Sequence, residues 1–302
     1  MILKEKSRRF KVADALLLAF TLLPFVAGVV IKVLTAYPAQ GISITGAQIY
    51  FTVPMPLQDL PITEAQVNSL LVILSLTGFC LYMTHGIRAG VATRRQIMAE
   101  WIVEKMDGLV LENMGEFFKG FAPFVTAILG LSAISSLLSL LGLFPPTSDL
   151  NIVVGWSILV FILITHYKLK GGVGPYLKGY LEPIPVLLPL NILGEFATPL
   201  SMAFRHYGNV LSGSIIAVLI SAGLQAASLL VMGALPGFLA ELPIFRIGLP
   251  AVFSLYFDIF RGCMQAFIFA MLTMLNIAGG FPQDEYEKRR LKKLSKNKKI
   301  KN

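Results

Sequence analysis

The chain has only two cysteines and three histidines in 302 residues, and just 14% of its residues carry a charge. The shortage of thiols excludes a disulfide framework. Cys80 and Cys263 stand far apart, each within an apolar stretch, and read as small interior residues. Neither an HExxH pair nor a CxxC occurs, and no GxxxxGKS/T loop is present, so a metal centre or a P-loop nucleotide site is not expected. No internal repeat is visible, which removes support for an inverted-repeat transporter. So few histidines and cysteines also leave an intramembrane enzyme little from which to build a nucleophile–base pair. No catalytic residue, metal or cofactor is therefore expected.

What is abundant is apolar: 55% of residues are hydrophobic and the mean hydropathy is +0.72, values of a polytopic membrane protein. The net charge of +9 sits at the two ends. Residues 1–11 carry five cations against Glu5, a balance of +4, and residues 284–302 carry nine against three acids, a balance of +6. The body between is −1, so a nucleic-acid partner is excluded. Both basic ends read as cytoplasmic flanks beside anionic lipid, and the low hydrophobicity of the tail predicts disorder there.

Six segments are long and apolar enough to span, so the fold class is an all-α, polytopic membrane protein, one integral domain over residues 1–302. The first span covers 12–34. Small residues after it also suit a signal peptide, but its length favours a retained additional span. A proline-bearing outer loop over 35–64 leads to the second span at 65–87, and residues 95–118 predict an amphipathic helix on the inner surface. Spans three and four lie at about 121–144 and 151–168, joined by a turn whose Asp149 is the only formal charge between Lys119 and Lys168. The fifth apolar run, about 187–233, is too long for one perpendicular crossing: ~45 helical residues measure roughly 67 Å against a core of about 30 Å. It must tilt, bend or break, with Pro199 and Gly213 as the weak points. The sixth runs from about 249 to 278, and a basic cytoplasmic tail fills 279–302.

Arg205 lies inside the fifth run, and the 35 residues from His206 to Ala240 contain no Asp, Glu, Lys or Arg. A guanidinium at mid-membrane costs at least ~2.5–3.5 kcal/mol and cannot be deprotonated, so it needs a partner or a task. Ser201, Arg205 and Asn209 share one helical face at i, i+4, i+8. Glu195 lies ten residues before Arg205, about 15 Å towards the inner end, and Ser214 nine residues after it. The sixth span carries Asp258, Arg261 and Gln265. Asp258 and Arg261 are spaced to pair at i, i+3, and Asp258 is also placed to take up a proton. No nearby segment offers Arg205 an obvious fixed anion. Carboxylates on either side of it suit an ion carrier that must not short-circuit. The rival reading is a secondary transporter that binds an anionic substrate at Arg205.

The run Gly194-Glu195-Phe196-Ala197-Thr198-Pro199-Leu200-Ser201, followed by Phe204-Arg205-His206-Tyr207-Gly208-Asn209, resembles a signature of subunit a of F-type ATP synthases. Gln265-Ala266-Phe267-Ile268-Phe269-Ala270-Met271-Leu272-Thr273 is similar to that family's last helix, and Pro146-Thr147-Ser148-Asp149-Leu150-Asn151 to the loop of its helical hairpin. The three motifs, in order, define a core over 65–278. The resemblance implies a membrane stator of a bacterial cell membrane, in contact with lipid, a rotating c-subunit ring, the subunit b peripheral stalk and, through the complex, the F1 sector. It implies that Arg205 meets the ring carboxylate beside Asn209 and Gln265. Protons or sodium would enter past Asp149, Ser214 and Asp258 and leave near Glu195. The chain departs from the pattern at Ser214, where an acidic or His residue is common, and at Asp258, where His or Glu is common. His206 stands for the usual Leu, Thr198 for a common Lys, and Arg261 for an apolar residue. Beside the arginine, His206 is a relay candidate, although a lone His there more often packs.

Overall fold

The computed structural model describes residues 8–35, 46–56, 58–87, 93–181, 184–232 and 249–291. Among the described residues, eight main helices follow in order: α1 (Arg8–Thr35), α2 (Glu64–Thr84), α3 (Arg94–Met114), α4 (Ala122–Leu137), α5 (Leu150–Leu169), α6 (Val173–Leu181), α7 (Leu188–Met232) and α8 (Leu249–Gly279). Six helical stretches are long and apolar enough to cross a membrane, in α1, α2, α4, α5, α7 and α8. The segment expected to be loop contains an antiparallel hairpin, β1 (Ile49–Val53) with β2 (Leu60–Thr63), which leads straight into α2. Pro54 and Pro56 in its turn and Pro61 within β2 hid the strands in sequence.

Packing is organised in two bodies of unequal size. The main core joins α3, α4, α5, α7 and α8 through Val110, Val125, Val160, Met202, Phe269 and Met274. A smaller cluster of Val72, Leu138 and Leu143 ties α2 to the end of α4, with Phe25 of α1 packed against it. The long α1 is bound to α2 by polar clasps as well. Ser75 Oγ donates to the carbonyl of Thr21 (2.6 Å), and Lys32 Nζ donates to Glu64 Oε1 (3.0 Å), which also accepts from the amide of Phe144 (3.2 Å). At the other end, Asp14 Oδ1 receives Arg95 Nη1 and faces His85 Nδ1, both at 2.9 Å. An isolated charge in lipid is costly, and each of these is paired.

α3 forms in the stretch 95–118 expected to be a surface helix, starting at Arg94 and ending at Met114. Thr93 caps it by accepting from the amide of Gln96, and Gly115 at φ 84° ends it, a conformation that glycine adopts without penalty. Its buried face, Val110 and Met114, joins the main core, while Glu100, Glu104, Lys105 and Asp107 are outside it.

Three expectations change. α7 is one continuous helix of 45 residues with Pro199 inside it, so the break is discarded and the run fits by tilt or bend. Residues 283–291 of the basic tail form a helix rather than disordered chain. Tyr286 anchors it, packing edge-on to Phe117 with ring centroids 5.1 Å apart, and the acids Asp284, Glu285 and Glu287 sit in its first turns, where the helix dipole favours them. Cys80 and Cys263 are exposed, not interior, because a membrane helix carries apolar residues on its outer face too. The remainder of the tail, 292–302, and most of the first basic stretch lie outside the described residues.

Candidate functional site

α7 divides lengthwise. Met202, Ala203 and His206 face inward and are buried, whereas Ser201, Arg205 and Asn209 lie on the exposed face. Arg205 makes no ion pair or hydrogen bond among the described residues. Around it, Leu193, Phe196, Leu200 and Phe204 are exposed as well, so the guanidinium stands in an apolar surface that the described residues leave uncovered.

One turn beyond Arg205, α8 grips α7. Asn209 Nδ2 donates to Gln265 Oε1 (2.5 Å), and Gln265 is buried. Arg261 Nη1 donates to the main-chain carbonyl of Asn209 (3.2 Å) and to Ser212 Oγ (3.4 Å). Asp258, half-buried one turn further along α8, has Arg261 as its charge neighbour. The structure thus brings Asn209, Gln265, Arg261 and Asp258 together along the α7–α8 seam.

His206 is fully buried. Its Nε2 lies 3.4 Å from Ser132 Oγ, its ring stands nearly perpendicular to Trp156 and Phe269, and its Nδ1 has no partner among the described residues. It packs inward, away from the face that carries Arg205. Asp149 serves as N-cap of α5, its Oδ1 accepting from the amide of Asn151 (2.9 Å), in a turn (Pro146–Ser148) that packs on α7. Ser214 lies on α7 beyond Asn209, and its side chain lies outside the described residues.

Sequence reasoning missed a row of hydroxyls on α4 and the turn that follows it. Ser132, Ser135, Ser136 and Ser139 recur at i, i+3, i+4, i+7, one helical face. Ser132 meets His206, Ser136 meets Thr147 Oγ1 (3.2 Å), Ser139 Oγ donates to the Ser136 carbonyl (3.0 Å), and Ser135 Oγ is buried without a partner among the described residues. Their spacing was legible, but serines in an apolar run are unremarkable until the facing residues are known.

At the opposite, basic end a cavity of about 600 Å³ opens between α5, α6, α7 and the end of α8. Glu195 forms its charged wall. Lys168 Nζ donates to Glu195 Oε1 (2.9 Å), Tyr176 OH donates to the same oxygen (3.2 Å), and Tyr180 OH lies 2.6 Å from Tyr176 OH. Burial and the Glu195 carboxylate push the Tyr176 phenol above its ordinary range. Thr198, where the resemblance leads one to expect Lys, lines the cavity, as does Lys168 from α5. Among the described residues, no group of three or more His, Cys, Asp or Glu gathers to hold a metal ion.

Among the described residues, six membrane-length helices, one with an arginine on its exposed face between two polar regions, define a multi-span membrane protein suited to handling ions. Comparison with known proteins gives it a lineage. The sequence profile of the ATP synthase A chain matches residues 66–278. ATP synthase subunit a, sodium ion specific, from Propionigenium modestum is 27% identical over 276 residues, covering 80% of this chain and 88% of that protein. ATP synthase subunit a of Legionella pneumophila (strain Philadelphia 1) is 28% identical over 228 residues, 75% of this chain and 90% of its own. That of Anoxybacillus flavithermus is 32% identical over 197 residues, 62% and 78% respectively. The chain belongs to the ATP synthase A chain family, the non-catalytic, ion-translocating membrane subunits of the complex. Helix α1 lies outside the matched region.

Proposed function

We propose that Arg205 is the electrostatic barrier of a two-path ion conductor, and that its exposed face on α7 meets the carboxylates of a c-subunit ring. The observation that carries this reading is a permanent cation on an apolar membrane surface, with no anion of its own among the described residues. An anionic ring site supplies the missing charge. It passes Arg205 only while ionised, and enters lipid only after an ion has neutralised it, because burying an unpaired charge is prohibitive.

On this reading protons or sodium reach the ring from the end that carries Asp149, Ser214 and Asp258, along the α4 hydroxyls, and leave through the cavity beside Glu195. Each unit charge that crosses releases ~2.3 kcal/mol per 100 mV, so several crossings serve each ATP. Both basic ends face the cytoplasm of a bacterial cell, in agreement with six spans and the positive-inside rule. Subunit b and, through the complex, the F1 sector hold this chain still against the rotating ring.

The test is ATP-driven ion pumping in inverted membrane vesicles carrying Arg205→Ala, with copurification of the c ring checked first. The expected result is an assembled complex that no longer pumps. Normal pumping, or a preparation of the wild-type complex without a c ring, would overturn the reading.

A further inference from the structure

The α7–α8 seam holds an arginine that the ion path does not require. Arg261 reaches across from α8 and donates to the carbonyl of Asn209 and to the hydroxyl of Ser212. One turn along α8, Gln265 takes the side-chain amide of the same Asn209. A single residue of α7 is therefore gripped twice, by main chain and by side chain, from two successive turns of its neighbour. Two such contacts fix both the height and the rotation of α7 against α8, which one contact cannot do. Gly213 makes the grip possible: a Cβ there would collide with the guanidinium of Arg261.

We propose that Arg261 is a positioning residue for ion translocation, setting the register of α7 on α8 and hence where Arg205, one turn from Asn209 on the same face, meets the ring. Charge-assisted hydrogen bonds are the strong ones. The nearby Asp258 lowers the cost of keeping Arg261 in the membrane. Arg261 thus acts through Asn209 and not by contact with the ion. The inference rests on the stator reading above.

The experiment measures ions moved per ATP hydrolysed in assembled complexes bearing Arg261→Ala, Arg261→Lys, Gly213→Ala and the Arg261→Ala/Gly213→Ala pair. A role in folding alone changes the amount of complex but leaves this ratio intact. Arg261→Ala is expected to lower the ratio about tenfold, and Arg261→Lys, with fewer donors, to recover part of it. Gly213→Ala is expected to lower the ratio by displacing the guanidinium, and to add little once Arg261 is gone, because the two changes break one contact. An unchanged ratio in Arg261→Ala, or additive losses in the pair, overturns the proposal. Should Arg261→Ala fail to assemble, an unchanged ratio in both Arg261→Lys and Gly213→Ala overturns it equally. Arg205→Ala, run in parallel, separates the two questions, since normal pumping there sinks the stator reading whatever Arg261 does.

Discussion

His206 offers the sharpest test of how the centre of this protein is built. It sits beside the arginine in sequence, yet its ring is enclosed by Trp156, Phe269 and Ser132, and its Nδ1 is buried without a partner. Replacement by leucine, the residue the family resemblance leads one to expect, removes that orphaned nitrogen and so relieves ~1–3 kcal/mol of desolvation. The same change loses one long hydrogen bond and leaves Ser132 Oγ unpaired, returning about 1 kcal/mol. Leucine is close to histidine in volume and suits the aromatic cage, so little strain is added. The sum is a complex as stable as the wild type or more stable by up to ~2 kcal/mol. Two readouts check it: the temperature at which half of the purified complex has lost this subunit, and ATP-driven pumping per complex. Pumping is expected to stay within about twofold of wild type, less than the factor of five or more that 1 kcal/mol or so produces. A tenfold loss of pumping in an intact complex would refute the packing argument and make His206 a proton relay. A clear drop in stability would show that the Ser132 contact is worth more than its 3.4 Å length implies.

Two further outcomes follow from the basic-end cavity. Lys168→Met strips Glu195, whose side chain is only 7% exposed, of its counter-ion, and is expected to cost ~1–3 kcal/mol, discounted from a fully buried pair because Lys168 is partly solvated; thermal stability of the complex, with Lys168→Met/Glu195→Gln recovering part of the loss, checks it. Tyr176 has its phenol raised above 10.0, so the folded form keeps a proton that the unfolded chain gives up; the stability it lends is full below about pH 10 and is lost as pH rises past that value. Alkaline melting of the complex is expected to flatten there in Tyr176→Phe.

The spans were legible because lipid demands runs of about twenty apolar residues, and that demand leaves a direct mark on composition. The shared face of Ser201, Arg205 and Asn209 was legible for a similar reason, since helical spacing alone sets it. Contacts between distant segments were not. Lys168 and Glu195 are 27 residues apart, Asn209 and Gln265 56, and Ser132 and His206 74. Helix packing chooses among many possible partners for each, and one sequence does not say which. Arg261 shows the limit well. Its spacing suggested neutralisation by Asp258, whereas its grip on the Asn209 carbonyl depends on a glycine in another helix.

The continuity of α7 through Pro199 has a mechanical consequence. Proline removes one backbone donor, so the carbonyl of Glu195, four residues earlier, loses its helical partner, yet the helix carries on. Glu195 and Arg205 therefore lie about 15 Å apart along one uninterrupted helix. Behind that stretch of α7 lies close-packed apolar material: Met202 and Ala203 with Val160, Phe269, Ala270 and Met274. The basic-end cavity stops at Thr198 and Asn276, and the α4 hydroxyls begin on the other side, at Ser132. Between them, Ser157 and Thr273 are the buried polar side chains that α5 and α8 contribute among the described residues. On the stator reading, an ion passing from one end to the other does so by way of the ring at the level of Arg205, on the face that the described residues leave uncovered, and the continuous α7 sets that level about 15 Å along the helix from Glu195.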